Sequence, residues 1–371
     1  MLYFCFVKLH ILISSPFYTD RIIRKMQKLD KTACIYLIIH SSYKARAIVG
    51  NQTLAFSFAG LGRWLKSQEI HTTYVHFLST SIAYLLLRSG LADKTLYWIM
   101  WGADFYRLPR VRADYFLPLS KEFMPRIDGI KSRVSKFLSL PSFDHVERIL
   151  PKVNYFVGYP EEYNHVQSEM SLPMELVPWE FYFDMTEMER PAINHGTGKI
   201  LIGNSDDPTN NHLDILELLI SKGMMSHPLI MPLAGANPDY RLAICDKAHE
   251  FNIDLLEEFI DLSSFFKKME EVSYVIYGHL RQQGVGTILP LIYAGKKVFM
   301  WESNPLFSIF ERWGLQIFSL DKMTPEDFFP LSQMQVDNQR HTLEQFISHQ
   351  KGNERWLEIL KDRPQKKVGL N

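Results

Sequence analysis

At 371 residues the chain is longer than one compact core usually grows, so two domains are expected. With 46 % hydrophobic and 22 % charged residues, its make-up is that of an ordinary folded protein with a large core. The 41 basic and 41 acidic residues cancel, so no global field recruits nucleic acid. Cys5, Cys34 and Cys245 lie far apart without metal or redox spacing, and suit small core positions in a reducing cytoplasm.

The first residues, MLYFCFVKLHILIS, are apolar, but Lys8 and His10 interrupt them. No positive region precedes them and no small-residue cleavage site follows, so they read as a strand and not as a signal peptide. No later window has the length of a membrane span without charges, so any meeting with a membrane is from the side. In chain order the pattern predicts a strand over Leu9–Ser14, a basic helix over Thr19–Leu29 and a strand over Cys34–His40. A helix over Gly60–Gln68, a strand over His71–Phe77, a helix over Ile82–Ser89 closed near Gly90, and a strand over Thr95–Trp101 follow. This alternation argues for a doubly wound α/β layer.

From Leu172 to Thr197 the periodicity fails, and Pro173, Pro178 and Pro191 punctuate the chain as in an inter-domain linker. A second α/β series then starts: strand Ile200–Gly203, helix Leu213–Ser221, strand Leu229–Leu233, helix Arg241–Phe251, helix Ser264–Glu271, strand Val272–Tyr277, helix Thr287–Ala294 and strand Lys297–Trp301. The tail, Glu354–Lys361, has amphipathic spacing through Trp356, Ile359 and Leu360. The expected organisation is a first domain over 1–175, a linker over 176–197, a second domain over 198–350 and a helical tail over 351–371. Two such domains imply a cleft, with ligands at strand C-termini.

The most informative motif is Arg281-Gln282-Gln283-Gly284-Val285-Gly286-Thr287, between the strand ending at Tyr277 and the helix that follows. Its glycines stand where backbone approaches something closely. The helix N-terminus offers N–H groups and a positive dipole end, Arg281 a cationic fork, and Gln282 and Gln283 amide donors; the loop suits a phosphorylated ligand. Ile202-Gly203-Asn204-Ser205-Asp206-Asp207-Pro208-Thr209-Asn210-Asn211-His212 follows the first strand of the second domain. Its Asn and Ser groups are either donors to anionic oxygens or caps of the next helix. Asp206-Asp207 has no evident third ligand, so no metal site is expected.

Trp98-Ile99-Met100-Trp101-Gly102-Ala103-Asp104-Phe105-Tyr106 ends a strand of the first domain. Asp104 there is either a general base with a raised pKa or a helix cap, and Trp101, Phe105 and Tyr106 either sugar-stacking surfaces or core. His76 ends another strand on the same sheet edge. From Arg107 to Phe137 there are eight Lys/Arg against three acids, with interleaved apolar residues; this is either a face for anionic lipid or a solvated helix face.

WGADFY at 101–106, ILIGNSDDPTNNH at 200–212, RQQGVGT at 281–287 and the pair Asn304-Pro305 together resemble one family, across about residues 70 to 310. It is the TDP-Fuc4NAc:lipid II transferases of enterobacterial common antigen synthesis, the 4-α-L-fucosyltransferase type of glycosyltransferase. The resemblance implies a GT-B-like α/β fold of two Rossmann-like domains facing a cleft, with no metal and no cofactor. It implies a TDP-sugar donor on Gly203, Asn204, Ser205, Arg281, Gln282, Gln283, Gly284, Gly286, Thr287, Glu302 and Asn304. The acceptor, a polyprenyl-diphosphate-linked saccharide, would lie on Trp101, Gly102, Phe105 and Tyr106, with Asp104, His76 and Arg281 as the catalytic set. The protein would work peripherally on the anionic cytoplasmic face of a bacterial inner membrane. The chain departs from the family pattern at Asp206, where a glycine is familiar, and at Trp301-Glu302-Ser303. Two rival classes fit the same phosphate loop: a sugar-nucleotide epimerase of similar fold, and a non-catalytic sugar-nucleotide-binding protein.

Overall fold

The computed structural model describes residues 7–15, 18–30, 32–40, 44–125, 140–179, 190–235, 237–347, 349–361 and 363. The chain divides into two compact units. The first comprises Met1–Pro109, Ile127–Phe181 and Asn353–Asn371, and the second Arg110–Arg126 and Tyr182–Gly352.

In the first unit the strands are β1 (Val7–Ile13), β2 (Cys34–Ile39), β3 (Lys44–Val49), β4 (Gln52–Ser57), β5 (Ile70–His76), β6 (Thr95–Ile99), β7 (Tyr155–Gly158) and β8 (Glu175–Pro178). They form one sheet in the order β4-β3-β2-β1-β5-β6-β7-β8, parallel except for β3, which runs against both neighbours. Four of these strands are absent from the expected pattern. β3 and β4 form a hairpin on a tight turn at Gly50, whose φ of 56° suits glycine. β7 and β8 are four-residue strands, and β8 lies inside the stretch whose prolines read as linker.

Register explains an unusual feature of this sheet. His10 pairs with Tyr36 and Tyr74, Tyr74 with Tyr97, and Tyr97 with Tyr155, so five rings on five neighbouring strands fall in one row. Successive centroids are 5.3, 4.6, 4.7 and 4.6 Å apart, the interval that the spacing of hydrogen-bonded strands imposes. The C-terminal helix, His349–Leu360, belongs to this unit from Asn353 onward. Trp356, Ile359 and Leu360 are buried, as their spacing predicts, and Trp356 meets Trp179 edge-on. The Lys8 amino group donates to the Leu360 carbonyl and to Asp30, both at 3.0 Å, so a buried cation terminates the helix where its dipole is negative.

The second unit contains β9 (Lys199–Ile202), β10 (Leu229–Pro232), β11 (Asp254–Leu256), β12 (Val272–Tyr277), β13 (Lys297–Met300) and β14 (Phe318–Ser319). Every pairing is parallel, in the order β11-β10-β9-β12-β13-β14. Numbered within the unit this is 3-2-1-4-5-6, the dinucleotide-binding arrangement, whose strand order reverses between β9 and β12. The buried faces of β9, β10 and β12 meet the helices His212–Ser221 and Pro238–Phe251 in one core that includes Ile202, Leu216, Met231, Tyr240, Ile244 and Ile276.

The segment Arg110–Arg126, expected in the first domain, groups with the second unit. Polar side chains beside the β9 loop hold it there. Asn211 accepts the Leu117 N–H at 2.9 Å, and Asp214 accepts those of Leu119 and Ser120, also at 2.9 Å. The Ser120 hydroxyl lies 2.9 Å from that of Tyr240, and the Phe123 ring packs on Tyr240.

Candidate functional site

In the second unit the motifs at 200–212 and 281–287 emerge from the C-terminal ends of β9 and β12, the two strands flanking the reversal of strand order. Gly203 turns the chain with φ 68°. A Cβ there would lie 2.3 Å from His212 Nε2 and 2.8 Å from Asn210 Oδ1, so no larger residue fits without displacing both. Beneath this turn the wholly buried Asn210 amide satisfies all its groups. Its oxygen accepts the Asn204 N–H at 2.9 Å and lies 2.8 Å from His279 Nε2. Its nitrogen donates to Asp207 O at 2.9 Å and to Ser205 Oγ at 3.2 Å. Asn211, held at φ 54°, donates across to Gly278 O at 2.8 Å.

Thr209 joins this loop to the arginine loop. Its hydroxyl lies 2.7 Å from Asp207 Oδ1 and 2.9 Å from Gln283 Oε1, and it accepts from the Arg281 guanidinium at 3.2 Å. Gln283 donates to Asn204 Oδ1 at 3.4 Å. Gly284, with φ 76°, precedes the helix Val285–Tyr293, and a Cβ on it would stand 2.7 Å from the Asn204 amide nitrogen. Thr287 is held by its bond to Gly284 O at 2.9 Å and by the Tyr277 hydroxyl at 3.0 Å. Asn304 caps the helix Pro305–Arg312 and donates to His279 O at 2.9 Å and to Arg281 O at 3.1 Å. Arg281 is thereby only 5 % exposed, with its backbone and its head group both anchored.

The structure thus brings Gly203, Asn204, Ser205, Arg281, Gln283, Gly284, Thr287 and Asn304 together. Gln282 is half-buried on the same loop, and Gly286 is exposed in the first turn of the helix Val285–Tyr293. Glu302 is exposed, with its carboxylate 2.6 Å from Lys322 and its N–H bonded to Asp321. Asp206 and Asp207 have protein partners: Asp206 is buried against Arg241 at 2.9 Å and the Asn237 N–H at 3.0 Å, and Asp207 holds Thr209. Among the described residues no group of three or more His, Cys, Asp or Glu is placed to hold a metal ion. Thr209, Asn210 and His279 carry the geometry of the site but were not singled out for it. Thr209 and Asn210 lie within the quoted motif, where they read as turn or cap residues.

In the first unit the corresponding reversal of strand order lies between β1 and β5. His76 ends β5, buried, with its Nε2 3.1 Å from His10 Nδ1. Phe77 follows at φ 74°, a strained conformation for a bulky residue. Asp104 is buried as well. One oxygen accepts the Trp98 indole N–H at 2.7 Å and the Leu78 N–H at 3.0 Å, and the other the Trp101 N–H at 3.0 Å. Burial raises its pKa, and those three donors oppose the rise.

Gly102, at φ 89°, makes the turn that puts this carboxylate back over β6. Phe105 and Tyr106 are core side chains, each ring against His165, and the Tyr106 hydroxyl meets Glu162 at 3.3 Å. No ring face of theirs is open for stacking; Trp101 is the half-buried aromatic of the motif. Glu162, in the first turn of the helix Pro160–Met170, is pushed up to about 8, chiefly by burial and then by Asp104. Of the basic stretch 107–137, residues 126–137 lie outside the described residues, while Phe123 faces the second unit's core. No described helix is long and apolar enough to cross a membrane.

Residues 158–362 match the family model described as 4-alpha-L-fucosyltransferase, glycosyl transferase group 56. Among solved structures, the chain is similar to the apo structure of OtsA, at 10 % identity and TM-score 0.57, covering 97 % of this chain and 100 % of that one. It is similar to HepE from Anabaena in complex with UDP, at 12 % identity and TM-score 0.54, covering 95 % and 99 %. A third is alpha,alpha-trehalose 6-phosphate synthase from Burkholderia multivorans, at 9 % identity and TM-score 0.50, covering 96 % and 92 %. Identities this low speak for the fold alone, and that fold is GT-B.

Burial lowers the pKa of His10 to about 3 and of His212 to about 4, and holds His76 and His279 well below 6.5. Below pH 6.5 the unfolded chain therefore binds more protons than the folded one, and stability falls as pH drops towards the folded values. Each histidine contributes up to about 1.4 kcal/mol per pH unit. Glu162, whose stabilisation is lost as pH rises from 4.5 to about 8, and Asp104, also raised by burial, act with the opposite sign, but the four histidines outweigh them. The thermal midpoint is expected to be lower at pH 5.5 than at pH 7; an equal or higher midpoint at pH 5.5 would contradict this account.

Proposed function

Since the chain belongs to the 4-alpha-L-fucosyltransferase family, glycosyl transferase group 56, we propose that it moves a dideoxyhexose of the Fuc4NAc type from a TDP-sugar to a polyprenyl-diphosphate-linked saccharide in bacterial surface polysaccharide synthesis. Glycosyl transfer is the activity of the family. The donor, the acceptor and work at the anionic cytoplasmic face of an inner membrane are the proposal, carried by the motifs at 101–106, 200–212 and 281–287.

The observation that supports it most is the buried, doubly anchored Arg281 beside a helix N-terminus turned by Gly284. As the glycosidic C–O bond breaks, negative charge accumulates on the departing diphosphate. A cation and N–H groups already fixed in place stabilise that charge without reorganising, and so act more strongly on the transition state than on the bound donor. Gly203, Asn204, Ser205, Gln282, Gln283, Gly284, Gly286 and Thr287 line the nucleotide-diphosphate side in this reading, with Glu302 and Asn304 beyond them.

An inverting transfer also needs a group to take the acceptor hydroxyl's proton. Asp104, whose two oxygens accept from three N–H groups, and His76, whose Nε2 lies 3.1 Å from His10 Nδ1, are the two candidates for that proton. In this reading His10 orients the His76 ring, and Asp104 also positions the Leu78 and Trp101 backbone.

Arg281→Ala is expected to lower turnover about 100- to 1000-fold with the fold intact; an unchanged rate would remove Arg281 from the leaving-group site. In a panel of TDP-, UDP- and GDP-sugars, a TDP-sugar should give the largest rise in thermal midpoint, and no shift with any TDP-sugar would exclude the donor assignment. Asp104→Asn should unfold more easily, by about 2 kcal/mol, because an amide cannot accept from all three donors. If instead it keeps wild-type stability and loses its activity, Asp104 is the base and His76 is not. Sedimentation with vesicles rich in anionic lipid should bring the protein down and neutral vesicles should not; absence of binding to both argues against membrane work.

A further inference from the structure

The loop that carries Arg281 is tied down two residues earlier, at His279. The His279 ring is wholly buried and stacks on Tyr277 at 5.5 Å, and its Nε2 lies 2.8 Å from Asn210 Oδ1. Which of the two atoms carries the hydrogen follows from the other bonds of that amide. The Asn204 backbone N–H, which can only donate, points at Oδ1 from 2.9 Å. The Asp207 carbonyl, which can only accept, meets Nδ2 at 2.9 Å. The amide orientation is thereby fixed at both ends, Oδ1 is an acceptor, and His279 must carry its proton on Nε2.

A neutral ring with its hydrogen on Nε2 has a bare lone pair on Nδ1, and among the described residues no partner meets that buried atom. A second proton there would place a cation beside the Arg281 guanidinium inside the unit. Burial and that neighbouring charge both oppose it. Gly278, just before, is where the chain comes closest: a Cβ on it would lie 2.5 Å from the Asn210 carbonyl oxygen. Asn304 then holds the carbonyls of both His279 and Arg281.

We propose that His279 is a positioning residue of the transfer reaction. Through its Nε2–H tautomer it locks the arginine loop to the Asn210 amide, and so sets where the Arg281 head group stands relative to the departing diphosphate. This rests on the reading of Arg281 as the leaving-group ligand. His279 does not touch substrate; its effect passes through Arg281.

The test uses the full chain with donor and lipid-linked acceptor. His279→Leu keeps the bulk and removes the donor, while His279→Gln places an amide N–H near the former Nε2. His279→Leu is expected to lower kcat about ten- to a hundredfold with a smaller rise in donor KM, and His279→Gln to restore most of the loss. Because His279 works through Arg281, the double variant His279→Leu/Arg281→Ala should be no slower than Arg281→Ala alone. Imidazole 15N spectra should show a neutral ring protonated on Nε2 at pH 7. A purely structural role predicts lower thermal midpoints for both variants and an unchanged kcat per folded molecule, and that result overturns the proposal. So does an additive double variant, or a ring protonated on Nδ1. If Arg281→Ala itself leaves turnover unchanged, the underlying assignment of Arg281 has failed; if it slows turnover and His279→Leu does not, only the role of His279 has.

Discussion

One buried side-chain amide, that of Asn210, holds the second unit's site in shape. A polar group that cannot reach water must find every partner inside the protein, or it costs free energy on the order of a lost hydrogen bond. Asn210 finds four: the Asn204 N–H, His279, Ser205 and the Asp207 carbonyl. These partners come from two loops, after β9 and after β12, so satisfying the amide fixes one loop against the other. Thr209 repeats the link one residue earlier, through Gln283 and Arg281. The glycines follow from this closeness, because Gly203, Gly278 and Gly284 each stand where a Cβ would meet an atom of the partner loop or of the Asn210 knot. Arg281 is then held rigidly at a helix N-terminus, where fixed positive charge suits an anion.

The first unit treats its own polar groups differently. His10 and His76 are buried as neutral rings, one of them within the row of stacked rings that crosses five strands. Asp104 is buried with three N–H donors around it and with Glu162 close enough to raise the pKa of the latter. These groups fix the crest of the sheet beyond β5 and β6, where Phe77 is kept in a strained conformation. Strain of that kind persists only where surrounding bonds over-determine the backbone, and the Asp104 bond to Leu78 N supplies one such constraint.

In the second unit β9, β10, β12 and β13 and the helices between them were legible in the sequence as short apolar runs or helical stripes, as in Val272–Tyr277 followed by RQQGVGT, whereas β11 and β14, of three and two residues, were not. In the first unit β3, β4, β7 and β8 were not legible: exposed positions break the apolar runs of β3 and β4, and β8 ends on the proline that read as a linker signal. Phe105 and Tyr106 show a second limit. An aromatic residue after a glycine turn suits a sugar platform and a core equally, and only the position of the helix Pro160–Met170, with His165 against both rings, decides for the core. Residue type alone also hid the Asn210–His279 contact, which spans 69 positions. The placement of 110–126 depends on Asn211 and Asp214, more than ninety residues away, as the separation of 94 between Leu117 and Asn211 shows.

The central claim is that the two loops tied by Asn210 and Thr209 are the diphosphate side of the donor site. Hydrogen–deuterium exchange with and without thymidine diphosphate tests it most directly. The account predicts slower exchange of backbone amides across 203–211 and 281–288, with 95–106 unchanged. Protection confined to the first unit, or none in either loop at saturating nucleotide, would contradict it.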